Sequence, residues 1–374
     1  MVKESPLVDI VTSLIGRLDT FDDVHLDQER IREFKIRQII EGQIALRGEV
    51  KDELNTATYE LIKRAVNSGS YANGLEGSKG VAGFGRILGQ SVLRTLGRSE
   101  EESKSSVAWG SLWNLLVAYF DDICDDYGSV YPTLLKIISP ESLRNMLQRG
   151  ANHHFVCKPE DPVILRFVVE IADAVFIKVR SLGHSISESQ YNMLVESILR
   201  AYEVEVRFSH LKFSDEIDVD EARHCLRCCN SLPVWIQGYT NACMAGTTTI
   251  PEGLSSSLTH IGDVLWFLDD LVDLEDDVGT NQWNAAFLVA SDLYGPDILY
   301  DLRLLPPDDR ITWIYNNGIA EALADRIFES ISLALCDLET TFGKRSPLAD
   351  DLILTACSFL YEFLDLEKDL ELSR

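Results

Sequence analysis

Apolar residues recur at spacings of three and four along most of the chain, whereas the alternation of a half-buried strand is scarce. The windows 108–120 (AWGSLWNLLVAYF), 163–180 (VILRFVVEIADAVFIKVR), 191–208 (YNMLVESILRAYEVEVRF) and 351–366 (DLILTACSFLYEFLDL) each carry this period. Prolines fall between such windows, as at Ser139-Pro140, Lys158-Pro159 and Pro306-Pro307, where they would stop helices. The pattern predicts an all-α protein of ten or more helices with short connections. No internal repeat or linker divides it, so residues 1–374 are read as one helical bundle. Within it, 1–100 hold N-terminal helices and a glycine-rich loop, 105–285 a core, and 286–374 C-terminal helices. The glycine-rich stretch 68–90 (SGSYANGLEGSKGVAGFGRILGQ) lacks the phosphate-loop pattern G-x-x-x-x-G-K-[ST] and no strand precedes it. It is expected to be a mobile loop followed by a helix packed closely on a neighbour. Gly238 and Gly246, inside the apolar run 234–247, suggest close backbone approach or a break, since glycine is costly inside a helix, and Pro233 with Gly238 would supply such a break.

With 34 basic and 60 acidic residues the net charge is −26, which disfavours binding to a phosphate backbone; no nucleic-acid partner is expected. An apolar content of 46% excludes a disordered chain. No run of about 18 apolar residues could span a bilayer, and the N-terminus carries acids early, so a cytoplasmic protein without a membrane span is expected. The eight cysteines are then expected to be reduced. His224-Cys225-x-x-Cys228-Cys229 has no second ligand pair at zinc spacing, and zinc is not expected.

Charge changes the picture most where it interrupts apolar sequence. Asp121-Asp122-Ile123-Cys124-Asp125-Asp126 follows LWNLLVAYF, and Asp269-Asp270-Leu271-Val272-Asp273-Leu274-Glu275-Asp276-Asp277 follows VLWFL. On a helix, residues i and i+4 are about 40° apart around the axis and about 6 Å along it. Asp121 and Asp125 therefore share a face, and Asp269, Asp273 and Asp277 form a ladder. Like charges at this spacing repel, and helix C-termini, expected here at Gly128 and Gly279, disfavour negative charge further. A solvated acidic helix end would explain one such cluster; two of the form DDxxD point to bound cations. Hard oxygen ligands without histidine select Mg²⁺ or Mn²⁺, and neither cluster has the glycine of a calcium loop. Magnesium held by a few carboxylates completes its shell with water and phosphate oxygens, so two facing clusters would cage a diphosphate.

These motifs resemble those of the class I isoprenoid synthases. Asp121, Asp122 and Asp125 look like the family's DDxxD; Asp269, Asp273 and Asp277 are similar to the three ligands of the terpene cyclase motif (N/D)-D-x-x-(S/T/D)-x-x-x-(E/D). The resemblance covers about residues 105–285. It implies a helical bundle around a central apolar cavity, three Mg²⁺ ions with Mn²⁺ as a substitute, and a prenyl diphosphate substrate; a homodimer is compatible with it. Cyclases carry a diphosphate-sensing arginine ahead of the second motif, and Arg223 and Arg227 lie 46 and 42 residues before Asp269. Chain-elongating prenyl synthases share the DDxxD pair but usually carry an arginine pair soon after the first motif and Phe-Gln before the second; this chain has DYGSVYPTLLK and Phe267-Leu268. The cyclase's C-terminal Arg-Tyr pair is also missing, with Arg303, Arg310 and Arg326 as candidate replacements, and the all-acidic second motif marks a divergent branch.

The reading is thus a class I terpene cyclase, a sesquiterpene enzyme acting on farnesyl diphosphate, with Asp121 and Arg223 or Arg227 assisting ionisation. Trp113 and Val117, two turns and one turn before Asp121, and Trp266, Trp235 and Tyr239 are expected to wall the substrate cavity. Trp109, Phe120 and Phe267 are further candidates, although any of these apolar side chains could be ordinary core. An elongating or head-to-head prenyltransferase and a non-catalytic acidic scaffold are the alternatives.

Overall fold

The structure is a computed structural model that describes residues 6–21, 28–56, 58–60, 63, 78–99, 104–126, 128–343 and 345–373, with side chains except at 78, 125, 126 and 365–373. The described residues form helices and no strand. Helices α1 (Pro6–Leu18), α2 (Gln28–Arg47), α3 (Glu49–Glu53) and α4 (Ser78–Thr95) precede α5 (Lys104–Asp126). Then come α6 (Tyr131–Ile137), α7 (Pro140–Leu147), α8 (Val163–Leu182), α9 (Glu188–Phe208), α10 (Val219–Asn230) and α11 (Leu232–Met244). Helix α12 (Glu252–Val272) is followed by α13 (Leu274–Gly279), α14 (Ala285–Tyr294), α15 (Ile298–Leu304), α16 (Pro307–Asn316), α17 (Ile319–Phe342) and α18 (Pro347–Ser373). The four apolar windows read from the sequence fall inside α5, α8, α9 and α18.

Local chemistry sets many of the boundaries. Ser139 and Ser187 close capping boxes at the starts of α7 and α9, satisfying amides that would otherwise lack partners. Asp218 caps α10 by accepting from the amides of Asp220 and Glu221. Helix α8 is apolar around most of its circumference and is accordingly central. Buried apolar side chains from Leu7 to Leu360 form one cluster, and α12 packs along both α11 and α17.

The helical half of the glycine-rich stretch does pack closely, as expected; Gly69, Gly74 and Gly77 lie outside the described residues. A Cβ on Gly83 of α4 would strike the Gln38 carbonyl of α2, and one on Gly85 would strike the Gly110 carbonyl of α5. Helix α4 is thus seated backbone to backbone between its neighbours. The expected break falls at Ser231, just ahead of Pro233. Gly238 does not contribute to it: it lies inside α11, where its missing side chain makes room for Leu258 of α12. All eight cysteines are free, and His224 lies 3.6 Å from the Cys228 sulfur without a larger ligand cluster. Among the described residues no helix is long and apolar enough to cross a membrane.

Candidate active site

The two acidic clusters meet at one cavity of about 630 Å³. Asp121, at the C-terminal end of α5, shares its wall with Asp269 and Asp270 of α12, Asp273, and Asp277 of α13. The ladder is not one helix, as the sequence suggested. It is interrupted at Asp273 (φ −95°, ψ 8°), where α12 gives way to α13. The i, i+4 geometry nevertheless persists: the Asp273 amide donates to the Asp269 carbonyl (3.0 Å) and the Asp277 amide to that of Asp273 (2.8 Å). Asp122 is half-buried and is not among the described residues on the wall. The side chain of Asp125 lies outside those described.

The acids differ in how the protein treats them. Asp270 is buried and accepts from the Ala285 amide (2.5 Å) and the Trp266 indole N–H (2.9 Å), which ties α12 to the start of α14. Burial pushes its carboxyl well above the ordinary range. Asn284, which caps α14, donates to Asp277 Oδ2 (2.9 Å) and to the Asp270 carbonyl (2.7 Å), fixing the last rung of the ladder. Asp269 projects into the cavity: water reaches it, but the surrounding walls deprive it of bulk solvent. That desolvation, followed by the charges of Asp273 and Asp277, pushes its carboxyl up to about 7. Asp273 is raised as well, by desolvation and then by Asp276.

Such crowding of like charge is relieved by a cation. Asp121, Asp269, Asp273 and Asp277 are the donors that could share one, and all are hard oxygens of the kind Mg²⁺ takes. Among the described residues no group of three His, Cys, Asp or Glu side chains converges into a ready-made cage. Mg²⁺ does not require one, because it keeps waters and accepts substrate phosphate oxygens.

Much of the remaining lining is apolar and aromatic. Trp113 and Val117 belong to it, as their spacing from Asp121 suggests, and so does Phe120. Trp113 is held by a hydrogen bond to the Pro233 carbonyl (3.0 Å), by stacking on Trp109 and by an edge contact with Phe176. Trp235, Tyr239, Trp266, Trp109 and Phe267 are not among the described lining residues. Trp235 and Tyr239 stack on each other, and the Trp235 indole is spent on Ser255 (2.9 Å). Trp266 is three residues before Asp269 but four before Asp270, so it follows the buried aspartate inward. Further lining comes instead from Ile198, Tyr202, Glu205 and Phe208 of α9 and from Trp283, with the Tyr202 ring against that of Phe120. The amphipathic period of 191–208 marks α9 as a packing helix, but nothing local shows which of its neighbours it faces.

The two candidate sensor arginines also lie elsewhere. Arg223 pairs with Asp292 (2.6 Å). Arg227 makes a two-pronged contact with Asp263 (3.1 and 2.9 Å), which also accepts from the Ser231 hydroxyl (2.8 Å). Neither is among the described residues on the cavity wall. Arg227 instead secures the break between α10 and α11, where Gly262 lets α12 pass close to the Ser231 backbone. Of the proposed C-terminal replacements, Arg326 reaches Asp292 (3.5 Å), while Arg303 and Arg310 both lie over the Phe213 ring.

Comparison with known proteins bears on the fold. No protein-family model and no curated protein matches the chain. Among solved structures it is similar to the geranylgeranyl pyrophosphate synthetase of Pyrococcus horikoshii Ot3, with a TM-score of 0.52 and 14% identity over 88% of this chain and 99% of that one. It is also similar to the geranylgeranyl pyrophosphate synthase of Corynebacterium glutamicum complexed with calcium and isoprenyl diphosphate, with a TM-score of 0.51 and 13% identity over 90% of this chain and 98% of that one. A linalool/nerolidol synthase from Streptomyces clavuligerus aligns with a TM-score of only 0.41, too low to weigh. The chain has the all-α isoprenoid synthase fold.

Proposed function

We propose that the protein processes a linear prenyl diphosphate with Mg²⁺ and, more specifically, that it is a class I terpene cyclase. One observation carries the proposal: Asp121 and the Asp269–Asp273–Asp277 ladder, 148 residues apart at their nearest members, line a single cavity together with many apolar and aromatic side chains. That is the arrangement needed to hold a charged head beside a hydrocarbon tail. Asp121, Asp269, Asp273 and Asp277 would hold Mg²⁺, which when bound supplies electrostatic stabilisation to a departing diphosphate. Trp113, Phe120, Phe208 and Trp283 present ring surfaces to the tail, where a developing allylic cation gains from their π faces. A tail seated against these apolar side chains would be shielded from water that would quench the cation. Farnesyl diphosphate is the proposed substrate.

Chain elongation is the second reading, because the isoprenoid fold serves both chemistries and the two neighbours above a TM-score of 0.5 bear names of chain-elongating synthases. Elongation must accommodate a second diphosphate. The cavity wall supports this poorly: among the described lining residues Lys212 is the single permanent cation. Incubation with farnesyl or geranylgeranyl diphosphate and Mg²⁺, with and without isopentenyl diphosphate, separates the readings. A terpene hydrocarbon or alcohol formed without isopentenyl diphosphate supports the cyclase. A longer diphosphate made only in its presence supports elongation. No product from any chain length would remove both.

A further inference from the structure

Among the described residues the cavity wall carries six carboxylates, those of Asp121, Glu205, Asp269, Asp270, Asp273 and Asp277, and one lysine. Diphosphate is itself an anion, and the chain as a whole, at −26, repels it at long range. Cations bound to the acids would offset part of this, but specific recognition of phosphate oxygens needs a donor from the protein. Arg223 and Arg227 were the sequence's candidates, and both are engaged with aspartates away from the wall. Among the described lining residues Lys212 is the remaining permanent cation. It is exposed, and no ion pair to a described residue holds its ammonium.

Its placement is built rather than incidental. Lys212 sits on the turn between α9 and α10, next to Phe213, which is fully buried. The Phe213 ring stacks on Phe287 (centroids 3.6 Å apart) and meets Trp283 edge-on (5.2 Å). Its amide donates to the Asn281 carbonyl (2.8 Å), and its own carbonyl accepts from Arg303 Nε (2.8 Å). Arg310 lies over the same ring and donates to Asn281 Oδ1 (2.7 Å), and Asn281 in turn reaches the Ser214 hydroxyl (2.9 Å). The nearby acid Asp215 is occupied by the Lys212 amide (2.8 Å). The turn is therefore riveted to residues 281–287, which follow directly on the acidic ladder and supply Trp283 to the wall. Arg303 and Arg310, candidates for direct diphosphate contact, serve here as anchors of the turn.

We infer that Lys212 is the diphosphate-contacting cation of this site, held by the clamp on Phe213 on the wall of the cavity that Asp121 and the second acidic ladder also line. The inference rests on the prenyl diphosphate reading above. It is tested by titrating inorganic pyrophosphate into the purified protein with Mg²⁺, by calorimetry, for wild type, Lys212→Met and Lys212→Arg. The methionine keeps the aliphatic stem and removes the charge. Pyrophosphate affinity is expected to fall about 10- to 100-fold in Lys212→Met, the range of a charge-assisted hydrogen bond, and to recover largely in Lys212→Arg. The Michaelis constant for farnesyl diphosphate should follow the same order. Unchanged pyrophosphate binding in Lys212→Met, with a wild type that binds, overturns the role of Lys212 and leaves the reading of the site intact. A wild type that neither binds pyrophosphate with Mg²⁺ nor consumes prenyl diphosphates removes that reading and the inference with it.

Discussion

Two clusters of carboxylates pack against α5, and the protein handles them in opposite ways. On the side facing α2 and α4, Arg86 sits between Glu41 (2.7 Å) and Glu49, with Gln90 also donating to Glu41 (3.2 Å). Next to it Arg37 pairs with the buried Asp351 (2.9 Å), which the Ser91 hydroxyl also reaches. Each acid there is answered by a cation or donor of the chain itself. At the other end of α5, Asp121 opens onto a cavity shared with Asp269 and Asp273, and the carboxylates of the latter two have no hydrogen-bond or ion-pair partner among the described residues. The first arrangement spends charge on holding helices together. The second leaves charge available to something from outside, at a cost visible in the raised carboxyl of Asp269.

The sharpest way to break this contrast is to remove an acid from each side. Replacing Asp121 or Asp273 by alanine should lower Mg²⁺-dependent turnover by about 10²- to 10³-fold or more, as for loss of one electrostatic transition-state contact. Thermal melting should show no loss of stability. Near-normal activity in either variant would sink the assignment of that cluster. Replacing Arg86 by methionine should do the reverse. It strands two partly buried glutamates and should cost about 3–5 kcal/mol of stability by urea unfolding, whereas a neutral result would mean that the network is ornamental.

Asp270 sharpens the comparison within a single motif. Asp270→Ala would leave the Ala285 amide and the Trp266 indole unpaired, for about 1–3 kcal/mol. Asp270→Asn keeps an acceptor and should be much milder. A smaller effect is expected with pH. The Asp269 carboxyl is raised in the folded state, from 3.8 to about 7, so its contribution favours folding below about pH 4 and is lost as pH rises toward 7. Metal-free protein should therefore show a urea midpoint that declines across this window more steeply than that of Asp269→Asn. Mg²⁺ should flatten the decline.

Much of this was legible in the sequence. Helical period and the two acidic interruptions led to the fold class and to the carboxylates at the cavity, and the i−8 and i−4 spacing of Trp113 and Val117 from Asp121 placed them on its wall. Each of these signals is local to one helix. What stayed hidden depends on pairing between helices. Arg223 is captured by Asp292 and Arg227 by Asp263, partners 69 and 36 residues away that no spacing rule announces. Trp266 turned inward because its indole had a buried aspartate to satisfy. Asn284 and Phe213 read as a helix cap and a core phenylalanine, which they are, and only the assembled chain shows what they brace.

The seating of α4 bears on how freely such a cavity can be reshaped. Where Gly83 and Gly85 meet Gln38 and Gly110, main chain rests on main chain, and the registration of α5 depends there chiefly on backbone contact. Asp121 stands eleven residues further along α5 from Gly110, about 16 Å up the same rod. The interior lining can therefore be exchanged, one bulky group for another, without moving the foundation from which the carboxylate is aimed. A lineage built this way can diversify the contour of its chamber while the charged gate keeps its bearing.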